Sequence, residues 1–151
     1  MNKAGENPVQ EISIRPGSEN DIPSLLKIEA SSFTDARWKA EDFLQYECTV
    51  AEYGGKLAGY LVCRDLGPLT ESGQHEREIL NIAVHPALRR RGIASALLRH
   101  EIKSNTILFL EVRESNLAAR NLYSTHKFRE IGRRVAYYRD PIETAIVMQM
   151  K

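Results

Sequence analysis

The chain has 151 residues, 42% hydrophobic and 27% charged, enough for one domain with a full core and too few for two. Its 21 Lys and Arg against 20 Asp and Glu give a net charge of +1, which argues against nucleic acid or an anionic membrane as partner and makes any basic site a local one. No window approaches the ~18 apolar residues of a membrane span, and Cys48 and Cys63, without CxxC spacing or paired His, read as reduced thiols of a cytoplasmic protein rather than as a zinc site or a disulfide framework.

Residues 1–10 read as a disordered tail and 11–151 as a single domain. Residues 11–15 alternate and end at Pro16-Gly17, a short half-buried strand. Polar caps and Pro23 then open a helix with Ile22, Leu25, Leu26, Glu29 and Phe33 at helical spacing. After the loop 34–38, residues 39–47 form a second helical stretch. Gly54-Gly55, between two apolar runs, is a hairpin signal, and the polar stretch 64–77 reads as an exposed loop. Residues 79–84 are a continuous apolar strand ended by His85-Pro86, followed by a helix over 92–103 that stacks Ile93 on Leu97, and Ala94 on Leu98 and Ile102. A second apolar strand (107–112), a helix (116–126) and two extended stretches (128–138 and 143–150, parted at Asp140-Pro141) complete the chain. Strand, helix, strand, helix in the middle predicts a βαβ unit with parallel strands inside a three-layer α/β fold.

The strongest local signal is the turn between His85 and Ser95, which holds Arg89-Arg90-Arg91-Gly92. A strand that breaks there and re-enters as a helix at Gly92 presents unpaired backbone N–H groups at the positive end of the helix dipole. Gly92 gives close approach, Ala94 leaves room beside the helix axis and Ser95 adds a hydroxyl, so the turn suits a pyrophosphate held by main chain and reinforced by the arginines. A solvated charge run is an equal reading from composition alone. A nucleic-acid patch fits less well, because no aromatic residues interleave. Neither G-x-G-x-x-G nor Gly-Lys-Ser/Thr is present, which sets aside a dinucleotide fingerprint and a Walker loop.

Ile82-Ala-Val-His-Pro86 followed by Arg89-Arg-Arg-Gly-Ile-Ala94 resembles the acetyl-CoA signature R/Q-x-x-G-x-G/A of the GNAT superfamily of N-acetyltransferases. Leu110-Glu-Val-Arg-Glu-Ser-Asn116, Ala118-Ala119, Leu122-Tyr123, Phe128 and Tyr137-Tyr138 are similar, at matching spacings, to its RimI branch, the ribosomal-protein-alanine acetyltransferases. The likeness is strong over residues 79–150 and rests mostly on element order over 11–65. It implies a GNAT-like fold whose mixed, mostly antiparallel sheet has a central parallel βαβ pair that splays to bind acetyl-CoA, used as cosubstrate without a metal. It implies an acceptor that is a protein N-terminus, with a ribosomal protein as the suggested target. Arg89, Arg90, Arg91, Gly92, Ile93, Ala94 and Ser95 would receive the cofactor pyrophosphate, Ile82, Ala83 and Val84 would turn main-chain N–H groups to the acetyl carbonyl, and Asn116 would contact CoA. Phe33 to Trp38 and Tyr137-Tyr138 would shape the peptide groove.

Acetyl transfer from a thioester to an amine needs a deprotonated amine, a polarised carbonyl and a proton for the departing thiolate. Glu111 interrupts an otherwise apolar strand, where an ionised carboxylate is costly unless partnered and where burial should push its pKa upward, which suits a general base. An ion pair with Arg113 on the same strand face is the alternative from the residues alone; the resemblance places Glu111 on the family's base. Tyr123, a phenol with a reference pKa of about 10, can protonate a thiolate whose conjugate acid lies near about 8.5. By itself it reads as a core tyrosine, and the resemblance places it on the family's general acid. Asn116 also reads as a helix N-cap, and Phe33, Trp38, Tyr137 and Tyr138 read equally as core aromatics. An α-amine titrates near about 8 and a lysine near about 10.4, roughly 3 kcal/mol in the cost of deprotonation, which favours an N-terminal acceptor weakly over a lysine or a small amine. A non-catalytic acyl-CoA-binding module is the reading from another class, and the pair Glu111 and Tyr123 argues against it. Three departures from the family pattern stand out: no proline precedes Trp38, Lys127 occupies a position where glycine commonly ends the helix, and the 104–106 connection is short.

Overall fold

The protein is described by a computed structural model that covers residues 10–34, 37–69 and 71–151. In chain order the elements are β1 (Ile12–Pro16), α1 (Ile22–Ser32), α2 (Ala40–Gln45), β2 (Glu47–Tyr53), β3 (Lys56–Pro68), β4 (His75–Val84), α3 (Ile93–Glu101), β5 (Thr106–Arg113), α4 (Leu117–Thr125), β6 (Arg129–Tyr138) and β7 (Glu143–Met150). The strands make one sheet in the order β1-β2-β3-β4-β5-β7-β6. Among the described residues only the β4–β5 pair is parallel, so the sheet is mixed and mostly antiparallel as expected. The tail expected over 1–10 lies, up to residue 9, outside the described residues.

Local chemistry explains most boundaries. Gly54 and Gly55 have φ of +59° and +77°, the conformation a two-residue hairpin between right-twisted strands requires. Asp21, just ahead of α1, accepts two 2.8 Å bonds from Arg15 and a 2.8 Å bond from the Ser18 N–H. Those donors, Arg15 first, pull the Asp21 carboxyl down to about 2 against its burial.

Two apolar clusters make the layers. On one face α1 and α2 bring Leu25, Ile28 and Phe43 against Val50, Tyr60, Val62 and Ala83. On the other, Ile93, Leu97 and Leu98 of α3 and Tyr123 of α4 pack against Leu61, Cys63, Ile79, Leu108, Leu110, Val112 and Ile146. Each such fully buried side chain stabilises the fold by about 1.5–3 kcal/mol before entropy is counted. Gly59 allows the closest approach: a Cβ there would lie 2.8 Å from the Ala83 carbonyl and 3.3 Å from Ile93, so glycine lets β3 seat the end of β4 and the start of α3 together.

The segment 64–77 corrects the sequence reading. It is not an exposed loop: β3 continues to Pro68 and β4 begins at His75, with Arg64 paired to Glu78 and His75 to Asp65 across the ladder. Its β3 half is solvent-exposed, and polar side chains on both faces hide the alternation that marks a strand. The predicted helices are also longer than the observed ones, and Phe33 is the residue that ends α1 rather than part of it.

A bulge in β4 re-aims the end of that strand. Val62 faces Asn81 and Cys63 faces Ile79, so Leu80 is an extra residue and the strand changes which side chains it shows to each face. Ile79, Ile82 and Val84 join the α3 side, whereas Asn81 and Ala83 turn to the α1 side. The β4–β5 pairing ends at the same place, at Ile79 opposite Leu110, although the strands continue to Val84 and Arg113.

Candidate active site

Two strands that stop pairing while still running forward leave main-chain groups without ladder partners, which gives the end of the parallel pair its polarity. At this splay β4 leads through a short turn to α3. Gly92 stands at the helix start with φ of +79°, and Arg90 two residues earlier has φ of +61°. A Cβ on Gly92 would meet nothing within 4 Å. The first intrahelical bond runs from the Ala96 N–H to the Gly92 carbonyl at 2.9 Å, so the N–H groups of Ile93, Ala94 and Ser95 lie ahead of the helix ladder with the dipole's positive end behind them. Ile93 itself is 2% exposed; its side chain anchors α3, leaving only its N–H for a ligand.

The three arginines differ. Arg89 is tied back to the Val84 carbonyl at 3.2 Å and to Ser32 at 3.3 Å. Arg91 lies over the Tyr53 ring, 5.5 Å from its centroid, and bonds its hydroxyl at 3.3 Å. Side chains anchored on β2, β4 and α1 shape the turn, which separates this site from a freely solvated charge run. Ser95 meets His126 at 3.0 Å, linking α3 to the end of α4. Burial and the nearby Arg99 lower the His126 pKa, so the ring is neutral at pH 7 and Ser95 can donate to it.

On β5, Phe109, Glu111 and Arg113 point away from the core side chains Leu108, Leu110 and Val112. Glu111 is partly buried, its side chain 15% exposed, and its carboxylate meets Arg134 of β6 at 3.1 Å. The partner of Glu111 is thus Arg134 and not the Arg113 that the residues alone offered as an alternative; Arg113 bonds Glu143 at 3.4 Å and the Pro141 carbonyl at 3.2 Å, and lies 4.2 Å from the centre of the Tyr138 ring. A register break in β6, with Ala136 at φ +54°, presents Tyr137 and Tyr138 beside Glu111. Hydrogen bonding toward Glu111 raises the Tyr137 phenol, and burial followed by the Glu111 charge pushes Tyr138 up to about 12. Both therefore stay neutral phenols beside the carboxylate at pH 7.

Tyr123 lies in α4, which opens at Asn116 with the side-chain oxygen accepting from the Ala119 N–H at 3.1 Å. The Tyr123 ring is packed against Phe128, and burial, with Tyr138 nearby, raises its pKa above that of a free phenol. Its hydroxyl makes no hydrogen bond among the described residues, and the residue as a whole is buried. Phe33 and Trp38 sit on the other side of the sheet, Trp38 against Phe43 and Tyr46 with ring centres 5.3 and 6.1 Å away.

The profile of the acetyltransferase (GNAT) family matches residues 20–128. The chain belongs to the GNAT family. It is 33% identical to the "[Ribosomal protein bS18]-alanine N-acetyltransferase" of Escherichia coli K12, over 86% of this chain and 90% of that one. It is 38% identical to the "N-alpha-acetyltransferase RimI" of Mycobacterium tuberculosis over 59% and 56% of the two chains. The crystal structure of the ribosomal-protein-S18-alanine N-acetyltransferase from Escherichia coli superposes with a TM-score of 0.77 at 30% identity, covering 93% of each chain. As a GNAT member the protein is an acetyl-CoA-dependent N-acetyltransferase.

The residues present fit acetyl-CoA. An anion of pyrophosphate size needs N–H donors and no side chain in the way, which the open space at Gly92 and the free first turn of α3 provide. Two contributors were not legible in the sequence. Arg134 is brought to Glu111 only because β7 inserts between β5 and β6 in the sheet. Asn81, inside an apolar run, faces α1 only because of the bulge; its one signal was a lone amide in an otherwise apolar strand.

Proposed function

We propose that the protein acetylates the N-terminal α-amine of a protein substrate, of the ribosomal-protein alanine type, with Glu111 as general base and Tyr123 as general acid. The observation that carries the reading is the arrangement on β5: a carboxylate just past the last parallel pairing, held by Arg134 and flanked by Tyr137 and Tyr138. Bound acetyl-CoA supplies the activated thioester. The first-turn N–H groups of α3, with Arg90, hold the pyrophosphate, and Asn116 caps α4 where the CoA chain would run. Main-chain N–H groups over Ile82, Ala83 and Val84, freed from β5, polarise the acetyl carbonyl. Glu111 takes the proton of the incoming ammonium directly or through water, which works most easily for an α-amine near pKa ~8. The raised Tyr123 phenol keeps its proton at rest and releases it as negative charge grows on the departing sulfur. Phe33, Trp38, Tyr137 and Tyr138 bind the peptide, and the two free thiols, Cys48 and Cys63, suit a reducing cytoplasm. The names of the relatives and the site geometry support this reading. It is tested by incubating the protein with acetyl-CoA, an alanine-starting peptide, the same peptide with a blocked α-amine and a small primary amine, and locating the added acetyl group by mass spectrometry.

A further inference from the structure

Glu29 is 2% exposed, inside the α1–β3–β4 cluster, with no cation beside it among the described residues. A carboxylate in such a place is costly unless every lone pair is met, and it is met from three directions. One oxygen accepts the Trp38 N–H at 2.9 Å; the other accepts the Tyr60 hydroxyl and, at 3.0 Å, the Asn81 amide. The backbone carbonyl of the same residue accepts the Phe33 N–H at 3.1 Å. The Glu29 carboxylate thus holds the Trp38 backbone and fastens it to β4 at the residue following the bulge, one turn from where the helical bond to its own carbonyl ends α1 at Phe33. Tyr60 is kept as a donor there, since burial and then the hydrogen bond to Glu29 push its phenol far above the ordinary range.

A hydrophobic residue at position 29 would fill the core at lower cost, so the carboxylate needs another reason. We propose that Glu29 is a positioning residue for the acceptor: it sets the spacing of Phe33 and Trp38 and aligns them with the β4 segment beside the splay. The inference rests on the proposed peptide-acetylating function and assigns Glu29 no contact with substrate. Gln at this position keeps the shape but turns an amide N–H₂ toward the Asn81 donor, so at least one of the three side-chain bonds is lost.

In steady-state kinetics with acetyl-CoA and an alanine-starting peptide, Glu29→Gln is expected to raise the peptide KM about tenfold, the scale of one lost bond to a charged group. The acetyl-CoA KM and kcat at saturating peptide should stay at wild-type values, and Glu29→Asp should recover part of the peptide KM. Tyr60→Phe, which keeps the ring and removes one donor to the same carboxylate, is the second variant should Glu29→Gln not fold; it is likewise expected to raise peptide KM about tenfold. An unchanged peptide KM in a folded variant, with only the melting temperature lowered, overturns the proposal. Failure of the wild-type protein to acetylate the peptide would instead overturn the functional reading on which it rests.

Discussion

The proposed donor and acceptor sides of this site are built in different ways. The donor side is local: between Val84 and Ser95 one strand end, one glycine at φ +79° and one helix start assemble the anion cradle. The acceptor side is assembled at long range, with Glu29 reaching Trp38, Tyr60 and Asn81 and Arg134 reaching Glu111 across β7. A backbone cradle tolerates many side chains as long as Gly92 keeps its conformation. A side-chain clamp fails when any one member changes, so on the proposed function changes on the acceptor side should alter specificity most.

The contrast is broken most strongly at Glu111. Glu111→Gln should lower kcat about a thousandfold, the scale of a lost general base, and leave acetyl-CoA affinity unchanged by calorimetry; equal turnover would remove Glu111 from the chemistry. Tyr123→Phe should lower kcat about a hundredfold, again without affecting acetyl-CoA binding. Gly92→Glu should do the reverse and weaken acetyl-CoA binding about thirtyfold, because it places a negative charge at the helix N-terminus and a side chain at a left-handed φ. An unaltered dissociation constant would show that the cofactor does not use this turn.

Smaller effects separate framework from site. The Asp21 pKa is held at about 2 by Arg15 and Ser18, below an unfolded value near about 3.9. The stability it contributes is therefore present above about pH 4 and lost as pH falls through 4 toward 2. Asp21→Asn should cost about 1 kcal/mol at pH 7, and its melting curve should converge on that of the wild type near pH 2. Lys127 has φ of +67°, so Lys127→Gly should raise stability by about 1 kcal/mol, seen as a higher melting temperature with kcat unchanged.

Much of this was legible because it is local. The Gly54-Gly55 hairpin, the Asn116 cap and the Gly92 turn each depend on one or two residues whose conformational preferences are strong. The 64–77 ladder was misread because Arg64, Asp65, Glu76 and Arg77 put charge where a strand usually shows alternation. Asn81 and the Glu111 partner were hidden for a different reason: a one-residue bulge decides which face Asn81 shows, and the insertion of β7 decides that Arg134, not Arg113, meets Glu111. Neither the bulge nor the strand order leaves a mark on the residues flanking these side chains.

The central claim is that the acceptor is an N-terminal α-amine. Mass spectrometry of an alanine-starting peptide containing an internal lysine, after incubation with the protein and acetyl-CoA, tests it most directly. One added acetyl group on the α-amine, absent when that amine is blocked and absent with Glu111→Gln, is the predicted result. Acetyl on the lysine or on a small amine, with the α-amine untouched, would contradict it.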